Sequence, residues 1–521
     1  MADDQTAPIP RSVTPVDYGV PAALWLAAQK SGVLDLLLSL DPASRSGPSP
    51  AHFLLLAAFD RLCGTQKTTE IAEWYERSIL RSLWNSTGGF GPQDFAAEKF
   101  RECFERIATS PNRLQTMQSR LLELWTDKKL VSQRLLAYDL PGFYTYIANR
   151  EESHDNEGRS NIRRLGVSYV LDGENLLSLC HRVYDGNAAD SEPFPTVVSR
   201  INQMLDQYGL GREHVTLVSG KSSAALAHIE DLEAAGLGWI TALTWDQTPP
   251  DFRARTPDQL PRCSLKEPGI RAVAERMHLY GKEHLCVLKH SQSFQARQVQ
   301  GLTISLSRAT QYLRHFARQL SNANTRVSDE KAHNRIRGWL AEEYVSELVN
   351  YRLYERDGKL QLEYEVDERR LQWLLNHRLG RTFLLTNRLD WTVEELVDSF
   401  SAQEMVDDVF RGLHEGNPMA WKGAAGWTEM DLRIHTFYCM LAVSLLQLTY
   451  KPVRKIWPEV SLELLLEELQ EIKQFILVYP PAAEQEPGRV ATVLSEQTLL
   501  QQALAEVTGI DKLETTQPTA K

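Results

Sequence analysis

The sequence predicts an α/β protein in which a mixed sheet is flanked by helices and preceded by a helical domain. Apolar residues recur at three- and four-residue spacing through residues 21–132, which indicates amphipathic helices. Short apolar runs separated by turn residues begin at residue 133 and indicate strands. From there to residue 243 the order is β-β-β-α-β-α-β, which is typical of a mixed sheet with helices on its faces.

Composition limits the function before any motif is considered. A chain of 521 residues with 43% hydrophobic residues allows roughly three globular domains. The net charge of −11 argues against a uniformly basic nucleic-acid-binding surface but permits a local basic face. The six cysteines form no C-x-x-C pair and no zinc spacing. No signal peptide and no run of 18 or more apolar residues is visible, so we expect a soluble cytoplasmic protein without membrane contact.

Helical signals dominate the N-terminal part. Residues 1–20 are predicted to be a loose lead-in, and residues 21–132 a helical domain. Basic residues in this domain make DNA contact one interpretation, whereas the acids mixed among them also fit plain solvated helix faces. The predicted helices are Ala22–Ser39, Ser49–Cys63, Lys67–Ile79 and Phe95–Leu130, the last interrupted at Ser110-Pro111.

The stretch around Asp139 predicts two strands joined by a turn. The apolar run Leu135–Leu140 contains the acid, Pro141-Gly142 closes it, and aromatic residues resume at Phe143. A carboxylate at the end of a rigid strand suits a hard cation such as Mg²⁺ or Mn²⁺. The alternative is that Asp139 only begins the turn.

The following segment completes the predicted sheet. Asp172-Gly173 predicts a β-hairpin, since this dipeptide supplies left-handed turn positions. Val215–Val218 reads as a buried strand, followed by Ser219–Ser223 and a helix. A phosphate-binding loop would require a glycine five residues before Gly220, where Val215 stands, so we exclude that motif. The further predicted elements are the helices Phe194–Tyr208 and Ala224–Ala235 and the strand Gly238–Leu243.

Several stretches, in this order and spacing, resemble a known family. The chain is similar to the DDE transposases of bacterial insertion sequences, in the insertion-sequence-four superfamily, which have a ribonuclease-H-like core. The likeness covers about residues 50 to 450. The stretches that carry it are Thr68–Trp74, Ala137-Tyr138-Asp139, Gly186–Ser191, Val215–Ser223 and Trp427–His435.

The resemblance implies a division of the chain. It assigns residues 133–243 to the first part of the ribonuclease-H-like core, 383–450 to the last part, and 244–382 to an insertion, which the residues predict to be mixed α+β. Residues 451–521 are predicted to form an acidic helical tail, since residues 457–521 hold eleven acids and four bases. Within the insertion, Leu285–Leu288 and Leu360–Val366 are predicted strands, and Ser305–Leu320 and Arg335–Val349 predicted helices.

The insertion contains the most basic stretch of the sequence. Between Ala296 and Leu340, eight Arg or Lys residues stand against two acids, a local net charge of +6. Cations that displace DNA counterions supply most non-specific affinity, so this stretch is the candidate phosphate-facing surface. The alternative is an exposed basic helix face. The candidate DNA-binding residues are Arg314, Arg318, Arg335 and Arg337.

The predicted helix Thr392–Glu415 corresponds to the last core helix of the family. There the family carries Tyr, Arg, Glu and Lys at positions held here by Phe400, Gln403, Asp407 and His414. At 100° per residue these four lie at about 0°, 300°, 340° and 320°, and therefore share one face. The resemblance implies DNA contact for Phe400, Gln403 and His414. The alternative is helix packing with Phe400 in the core.

The resemblance also implies a metal site with an incomplete ligand set. In the family, three carboxylates hold two Mg²⁺ ions for in-line phosphodiester displacement. Here Asp139 occupies the first position, Gly220 the second and Asp407 the third, one methylene shorter than the family's Glu. Glycine has no ligand atoms, so we expect catalysis to be impaired or lost. Acids that could stand in if the register is shifted are Asp185, Asp190, Glu213, Glu404 and Asp408.

These expectations leave three functions. The first is a transposase-like protein of an insertion sequence that binds the double-stranded DNA of the element ends, with Mg²⁺ or Mn²⁺ bound at Asp139 and Asp407 if it is active and no cofactor otherwise. The second is a non-catalytic DNA-binding or assembly protein derived from a transposase. The third is an unrelated metal-dependent nuclease that uses Asp139. A second copy of the chain is a further candidate partner.

Overall fold

A computed structural model describes most of the chain. The described residues are 9–41, 47–63, 70–85, 89–110, 112–132, 134–139, 145–148, 162–185, 193–207, 212–220, 226–265, 269–321, 327–356, 359–401, 428–480 and 489–513. The chain divides into two compact units. Unit one comprises Met1–Val218, Asp231–Leu237 and Ser401–Lys521, and unit two comprises Ser219–Glu230 and Gly238–Phe400.

Helices make up most of unit one. They form where the sequence shows helical periodicity, and Gly32 divides the first predicted helix because its φ of 81° ends α1 in a left-handed cap. In chain order they are α1 (Gly19–Ser31), α2 (Val33–Leu40), α3 (Pro50–Cys63), α4 (Ile71–Glu76), α5 (Leu80–Asn85), α6 (Ala97–Ala108), α7 (Asn112–Asp127), α8 (Pro193–Gln207), α16 (Glu429–Ile456), α17 (Leu462–Gln470) and α18 (Leu499–Thr508), with α9 (Leu226–Ala234) shared between the two units.

The core of unit one surrounds α16. This helix begins with a capping box, in which Thr428 Oγ1 accepts a hydrogen bond from the N–H of Asp431 at 3.2 Å and the Asp431 carboxylate accepts one from the N–H of Thr428 at 2.7 Å. Apolar residues cover most of its circumference, so it is buried rather than amphipathic. Its length and hydropathy would allow a membrane span, but 89% of the apolar window is buried inside the protein. Helices α1 and α2 pass the same test only as a pair bent by 75°.

Four strands of unit one lie in the order β5-β4-β2-β6. Strand β4 is antiparallel to both of its neighbours: Ala137 of β2 lies opposite Leu171, and Val183 of β5 lies opposite Val167. Helices α16 and α7 pack on β5. Strands β4 and β5 follow one another on one side of β2, and β6 lies on the other side of β2. The predicted class of a mixed sheet flanked by helices is confirmed. These strands are β2 (Leu135–Asp139), β3 (Thr145–Ala148, also paired with β4), β4 (Ile162–Asp172), β5 (Ser178–Asp185) and β6 (Thr216–Ser219).

Unit two contains a second group of strands, in the order β7-β12-β9-β8 with antiparallel pairing throughout. A separate hydrophobic core joins its helices to a β-hairpin, so residues 244–382 have the predicted mixed α+β structure. Their assignment as an insertion stays a prediction. Its elements are β7 (Gly238–Ala242), α10 (Pro250–Ala254), β8 (Ile270–Leu279), β9 (Lys282–Ser291), α11 (Gln292–Ser321), α12 (Asp329–Trp339), α13 (Val345–Leu348), β10 (Val349–Arg356), β11 (Lys359–Val366), α14 (Glu368–His377), β12 (Arg381–Thr386) and α15, of which residues 393–401 are described.

The two chain ends form a third sheet that the sequence does not predict. Strand β1 (Ser12–Asp17) falls within the predicted loose lead-in, and it pairs with β13 (Lys473–Val478), which pairs in turn with β14 (Val490–Leu494). Residues 451–521 are therefore not helical throughout, since α17 ends at Gln470 and β13 begins at Lys473. Partners more than 450 residues apart leave no signal in local composition, which explains the difference.

One predicted helix of the insertion is divided. Residues 335–349 were expected to form a single helix, whereas α12 ends at Trp339, α13 spans Val345–Leu348 and β10 begins at Val349. Tyr344 has a left-handed φ of 65°, which interrupts helical geometry between α12 and α13.

Asp172 joins the β4–β5 turn to the segment that leads into β2. The side chain is buried; Oδ1 accepts a hydrogen bond from the N–H of Ser132 at 2.8 Å, and Oδ2 accepts one from the N–H of Asn175 at 2.7 Å. Both backbone donors would lose their acceptor in Asp172→Ala. We therefore expect this substitution to lower the free energy of unfolding by roughly 2–4 kcal/mol, measured by urea denaturation followed by tryptophan fluorescence.

Glu174→Ala is the matched control, because Glu174 lies in the same turn with an exposed side chain. An unchanged denaturation midpoint in Asp172→Ala would show that the two hydrogen bonds do not stabilise the turn.

Candidate functional site

Asp139 lies at the end of β2, as expected from the sequence. The four residues before it, Leu135 to Tyr138, are buried, so β2 is an interior strand that fixes the backbone at its end. Asp139 lies opposite Tyr169 of β4. The structure describes its backbone only, and its proposed role as catalytic residue and metal ligand stays a prediction.

Two of the acids that could replace a missing ligand, Asp185 and Glu213, are among the described residues, and neither forms a metal site with Asp139. Asp185 of β5 lies opposite Leu165 of β4, whereas Asp139 of β2 lies opposite Tyr169, four residues further along β4 and on its other side. At 3.3 Å per residue and 4.8 Å per strand, the Cα atoms of Asp139 and Asp185 are about 16 Å apart, too far to share one Mg²⁺. Glu213 is 71% exposed and pairs with His214 at 3.4 Å. The remaining candidates, Asp190, Glu404 and Asp408, lie outside the described residues.

The second position of the family's triad carries no side chain here. Strand β6 ends at Ser219, and Gly220 follows directly. The Gly220 carbonyl oxygen accepts a hydrogen bond from Thr241 Oγ1 at 3.3 Å, which holds this backbone against β7. Gly220 therefore supplies no carboxylate, and its one oxygen already has a hydrogen-bond donor.

The start of α15 favours the packing interpretation of the last candidate helix. Thr392 Oγ1 accepts a hydrogen bond from the N–H of Glu395, and the Glu395 carboxylate accepts one from the N–H of Thr392, so a capping box begins the helix near the predicted residue. Phe400 is only 5% exposed, which places it in the interior rather than on a DNA-facing surface. Gln403, Asp407 and His414 lie outside the described residues.

No metal site is formed by the residues that the structure describes. Among them, no three His, Cys, Asp or Glu side chains are close enough together to bind one ion. Gly220 has no side-chain ligand, so the second position does not fit a two-metal centre, and Asp407 lies outside the described residues. Binding of Mg²⁺ or Mn²⁺ stays a prediction.

The basic stretch of the insertion, in contrast, forms a well-defined surface. Helix α11 is 30 residues long and contains no acidic residue. We call its four arginines the arginine face, and all four side chains are exposed. The arginine face consists of Arg297, Arg308, Arg314 and Arg318.

Helical geometry places the arginine face opposite the buried side of α11. Counting from Arg297 at 100° per residue, the four arginines lie at about 0°, 20°, 260° and 300°. The buried residues lie between about 100° and 160°, on the other side of the helix. Those residues pack into the core of unit two, so the arginines point to solvent. The buried residues are Leu302, Ala309, Leu313, Phe316 and Leu320.

Part of the charge on this surface is not neutralised by acidic neighbours among the described residues. Arg308 pairs with Glu342 at 3.5 Å. In the part of the chain that the structure describes, no acidic side chain pairs with Arg314 or Arg318. On α12, Arg335 lies over the ring of Phe316 at 5.9 Å, and Arg337 is exposed. The structure thus places the four sequence-predicted arginines on the exposed surfaces of α11 and α12.

Unit two also contains an arginine–tryptophan cluster that the sequence analysis missed. The Arg378 guanidinium lies 5.3 Å from the Trp245 ring centroid, and the Arg253 guanidinium lies 5.4 Å from it. Arg370 and Arg378 both pair with Glu347, at 2.5 and 3.3 Å. The carboxylate offsets part of the positive charge, so this cluster holds α10, α13 and α14 together rather than offering free cations. Its members are distant in sequence, and no local pattern could have revealed it.

A buried cluster of titratable residues joins α3 to α16 in unit one. The Arg61 guanidinium contacts Tyr438 Oη at 3.2 Å and His435 Nδ1 at 3.4 Å, and Cys439 Sγ lies 3.5 Å from His435 Nε2. Burial raises the pKa of the neighbouring Asp60 carboxyl to about 7, which Arg61 partly counteracts. All five side chains are at least nine-tenths buried, so no substrate can reach them and their role is structural.

The similarity of this chain to known proteins is low. No protein-family model and no curated protein matches the sequence. Among solved structures, the chain is similar to a piggyBac transposase, determined by cryo-EM as a synaptic complex with hairpin DNA. The TM-score is 0.32 and the identity 9%, with 87% of this chain and 76% of the other covered. A TM-score of this size lies below the range of a shared fold, so the function proposed next depends on the chain's own residues.

The raised pKa of Asp60 predicts a pH-dependent stability. The unfolded chain releases this proton near the ordinary value of 3.8, whereas the folded protein keeps it up to about 7. Between these values the folded state binds more protons, so stability should fall as the pH rises from about 4 to 7, by at most about 4 kcal/mol from this residue. Asp60→Asn should reduce that slope in denaturation curves recorded across this range, whereas the contribution of Asp172, whose pKa burial also raises to about 7, should remain.

Asp127→Asn, at an exposed position at the end of α7, is the control and should keep the slope of the unmodified protein. If Asp60→Asn shows that same slope, Asp60 is not the group that holds the proton.

Proposed function

We propose that this chain is a transposase-like protein of an insertion sequence that binds double-stranded DNA through the arginine face of α11. Its metal-dependent phosphodiester transfer is impaired or lost. The motifs that resemble the DDE transposases support the first part, together with the mixed sheet that carries Asp139 at a strand end. The single observation that carries DNA binding is the arginine face, on a helix without acids in a protein of net charge −11.

The arginine face has the dimensions of a DNA contact. Arg297 and Arg318 are 21 residues apart on α11, which corresponds to about 32 Å along the helix axis. One turn of B-DNA spans about 34–36 Å. Cations distributed over that length can reach phosphates along one side of the duplex and release counterions, which supplies affinity without selecting a sequence.

Gly220 supports the loss of catalysis. Two-metal phosphodiester transfer needs carboxylates that converge on both ions, and the second position of the resemblance offers none. This observation also favours the alternative function, a non-catalytic DNA-binding or assembly protein derived from a transposase. The two differ only in whether strand cleavage remains.

A cytoplasmic location is part of the proposal. All six cysteines are free thiols, which fits a reducing compartment. DNA is the proposed partner, and Mg²⁺ or Mn²⁺ is the proposed cofactor only if Asp139 and Asp407 prove to act in cleavage.

We expect the double substitution Arg314→Ala and Arg318→Ala to weaken DNA binding and to reduce its salt dependence. Each phosphate contact contributes about 0.9 to the slope of log K against log salt, so the loss of two contacts should reduce the slope by about 1.8. Fluorescence anisotropy with a labelled duplex at several salt concentrations measures both quantities.

The matched control is Arg276→Ala with Arg433→Ala, because both of these arginines are exposed but paired with a glutamate. A flat salt dependence in the unmodified protein, or equal slopes in the two double variants, would mean that the arginine face meets no phosphates.

Strand cleavage separates the two candidate functions. With Mg²⁺ or Mn²⁺ and a duplex that carries terminal inverted repeats, we expect little or no cleavage by the unmodified protein, because Gly220 provides no ligand. A gel assay of labelled product strands measures this, with Asp139→Ala as the reference. Cleavage that Asp139→Ala abolishes would contradict the loss of catalysis and would establish an active transposase.

A further inference from the structure

The sheet formed by the two chain ends has two edges that differ in how they are protected. We call β1, β13 and β14 the terminal sheet; their order is β1-β13-β14, so β1 and β14 are its edges among the described strands. All three strands belong to unit one. An edge strand exposes backbone N–H and C=O groups that can pair with another chain unless something prevents it.

The β1 edge is protected. Pro15 lies at its centre and has no N–H to donate. The end of the strand is already covered, because the N–H of Asp17 donates to the Arg77 carbonyl at 2.7 Å and the Asp17 carbonyl accepts from the N–H of Ile79 at 3.0 Å. A further strand could not pair along this edge.

The β14 edge carries none of these features. The N–H of Ser495 donates a hydrogen bond to the Lys473 carbonyl, and the N–H of Tyr479 donates one to the Arg489 carbonyl. Odd-numbered residues of β14 therefore direct their backbone N–H and C=O groups toward β13. Val490, Thr492 and Leu494 therefore point theirs outward. Within the described residues nothing hydrogen-bonds to these outward groups. The strand contains no proline and no charge.

We propose that β14 is a dimerisation edge that pairs with β14 of a second copy of this chain. Antiparallel pairing about a two-fold axis at Thr492 places Thr492 opposite its own copy, and Val490 opposite Leu494. These rows are the hydrogen-bonded ones, so each exchanges two bonds, about six in all. The intervening rows place Ala491 opposite Val493.

The charge pattern of the strand favours a second copy as the occupant. In a two-fold pair a charged residue on the axis would lie directly opposite its own copy, which is destabilising. Strand β14 avoids this because all five residues are uncharged. The exposed residues Arg489 and Glu496 flank the strand, and in this register Arg489 lies opposite Ser495, so neither charge faces a like charge. The charge pattern of the strand is thus compatible with a second copy of itself.

An exposed apolar face adjoins this edge. In the ladder, Val13 lies opposite Leu477, and Val493 lies opposite Phe475, so these four side chains share one face of the terminal sheet. Val13 is 52% and Val493 46% exposed, which is high for valine in a sheet. Pairing of Ala491 with Val493 of the second copy would extend this face across the two-fold axis and cover the Val493 side chain.

The proposal is tested with charges placed on the axis. Thr492→Lys brings two lysines together at the two-fold row, and Thr492→Glu brings two glutamates together, so each variant alone should be monomeric. An equal mixture of the two should regain the dimer, because lysine then meets glutamate. Sedimentation velocity over a concentration series up to about 100 µM measures the mass in each case. The unmodified full chain should be dimeric within this range.

Thr14→Lys is the matched control. Thr14 and Thr492 both lie opposite Ile476, on the two edges of the same sheet, and Thr14 is exposed. Its substitution should leave the dimer unchanged. An unmodified chain that stays monomeric throughout the series would overturn the proposal, as would single charge variants that remain dimeric or a mixture that stays monomeric. None of these outcomes depends on DNA binding.

Discussion

Burial of α16 is the constraint on which unit one depends. This 28-residue helix packs against α1, α3, α6, α18 and β5, so the N-terminal helices and the last helix of the chain share one core with the sheet. A helix this apolar would be insoluble if exposed, and its burial supplies a large part of the driving force for folding. Two buried polar side chains of α16, His435 and Tyr438, contact the Arg61 guanidinium of α3. These contacts set the rotation of one helix relative to the other.

The same helix positions the strands that carry the candidate acids. Ser444 Oγ of α16 accepts a hydrogen bond from the N–H of Ser178 at the start of β5, at 3.2 Å. Strand β4 pairs with β5 on one side and with β2 on the other, and the end of β2 is Asp139. The backbone position of Asp139 is therefore linked to α16 through the β5–β4 and β4–β2 pairings. The scaffold for a strand-end acid is intact although Gly220 supplies no ligand.

Positive charge is used in two different ways in unit two. In the arginine–tryptophan cluster, the guanidinium groups contact the Glu347 carboxylate and aromatic rings. These contacts hold the helices of the cluster together. On α11 the arginines have an acid-free helix around them and face solvent. In the proposed DNA binding, an acid-free helix on an overall acidic protein would favour contact along α11 and so orient the duplex.

Sequence by itself determined the features that depend on local period and residue type. The amphipathic pattern of α11, the β4–β5 hairpin and the absent side chain at Gly220 could all be predicted, because each is decided within a few residues. The left-handed residue of that hairpin is Leu176, however, and not Gly173 as predicted. Tertiary structure alone decided the burial of Phe400, the pairing of β1 with β13, the contact of Arg61 with His435, and the open edge of β14. These features join residues that are hundreds of positions apart or depend on which side of an element is covered. Local patterns carry no information about such contacts, since only the packed chain selects among the partners that each pattern allows.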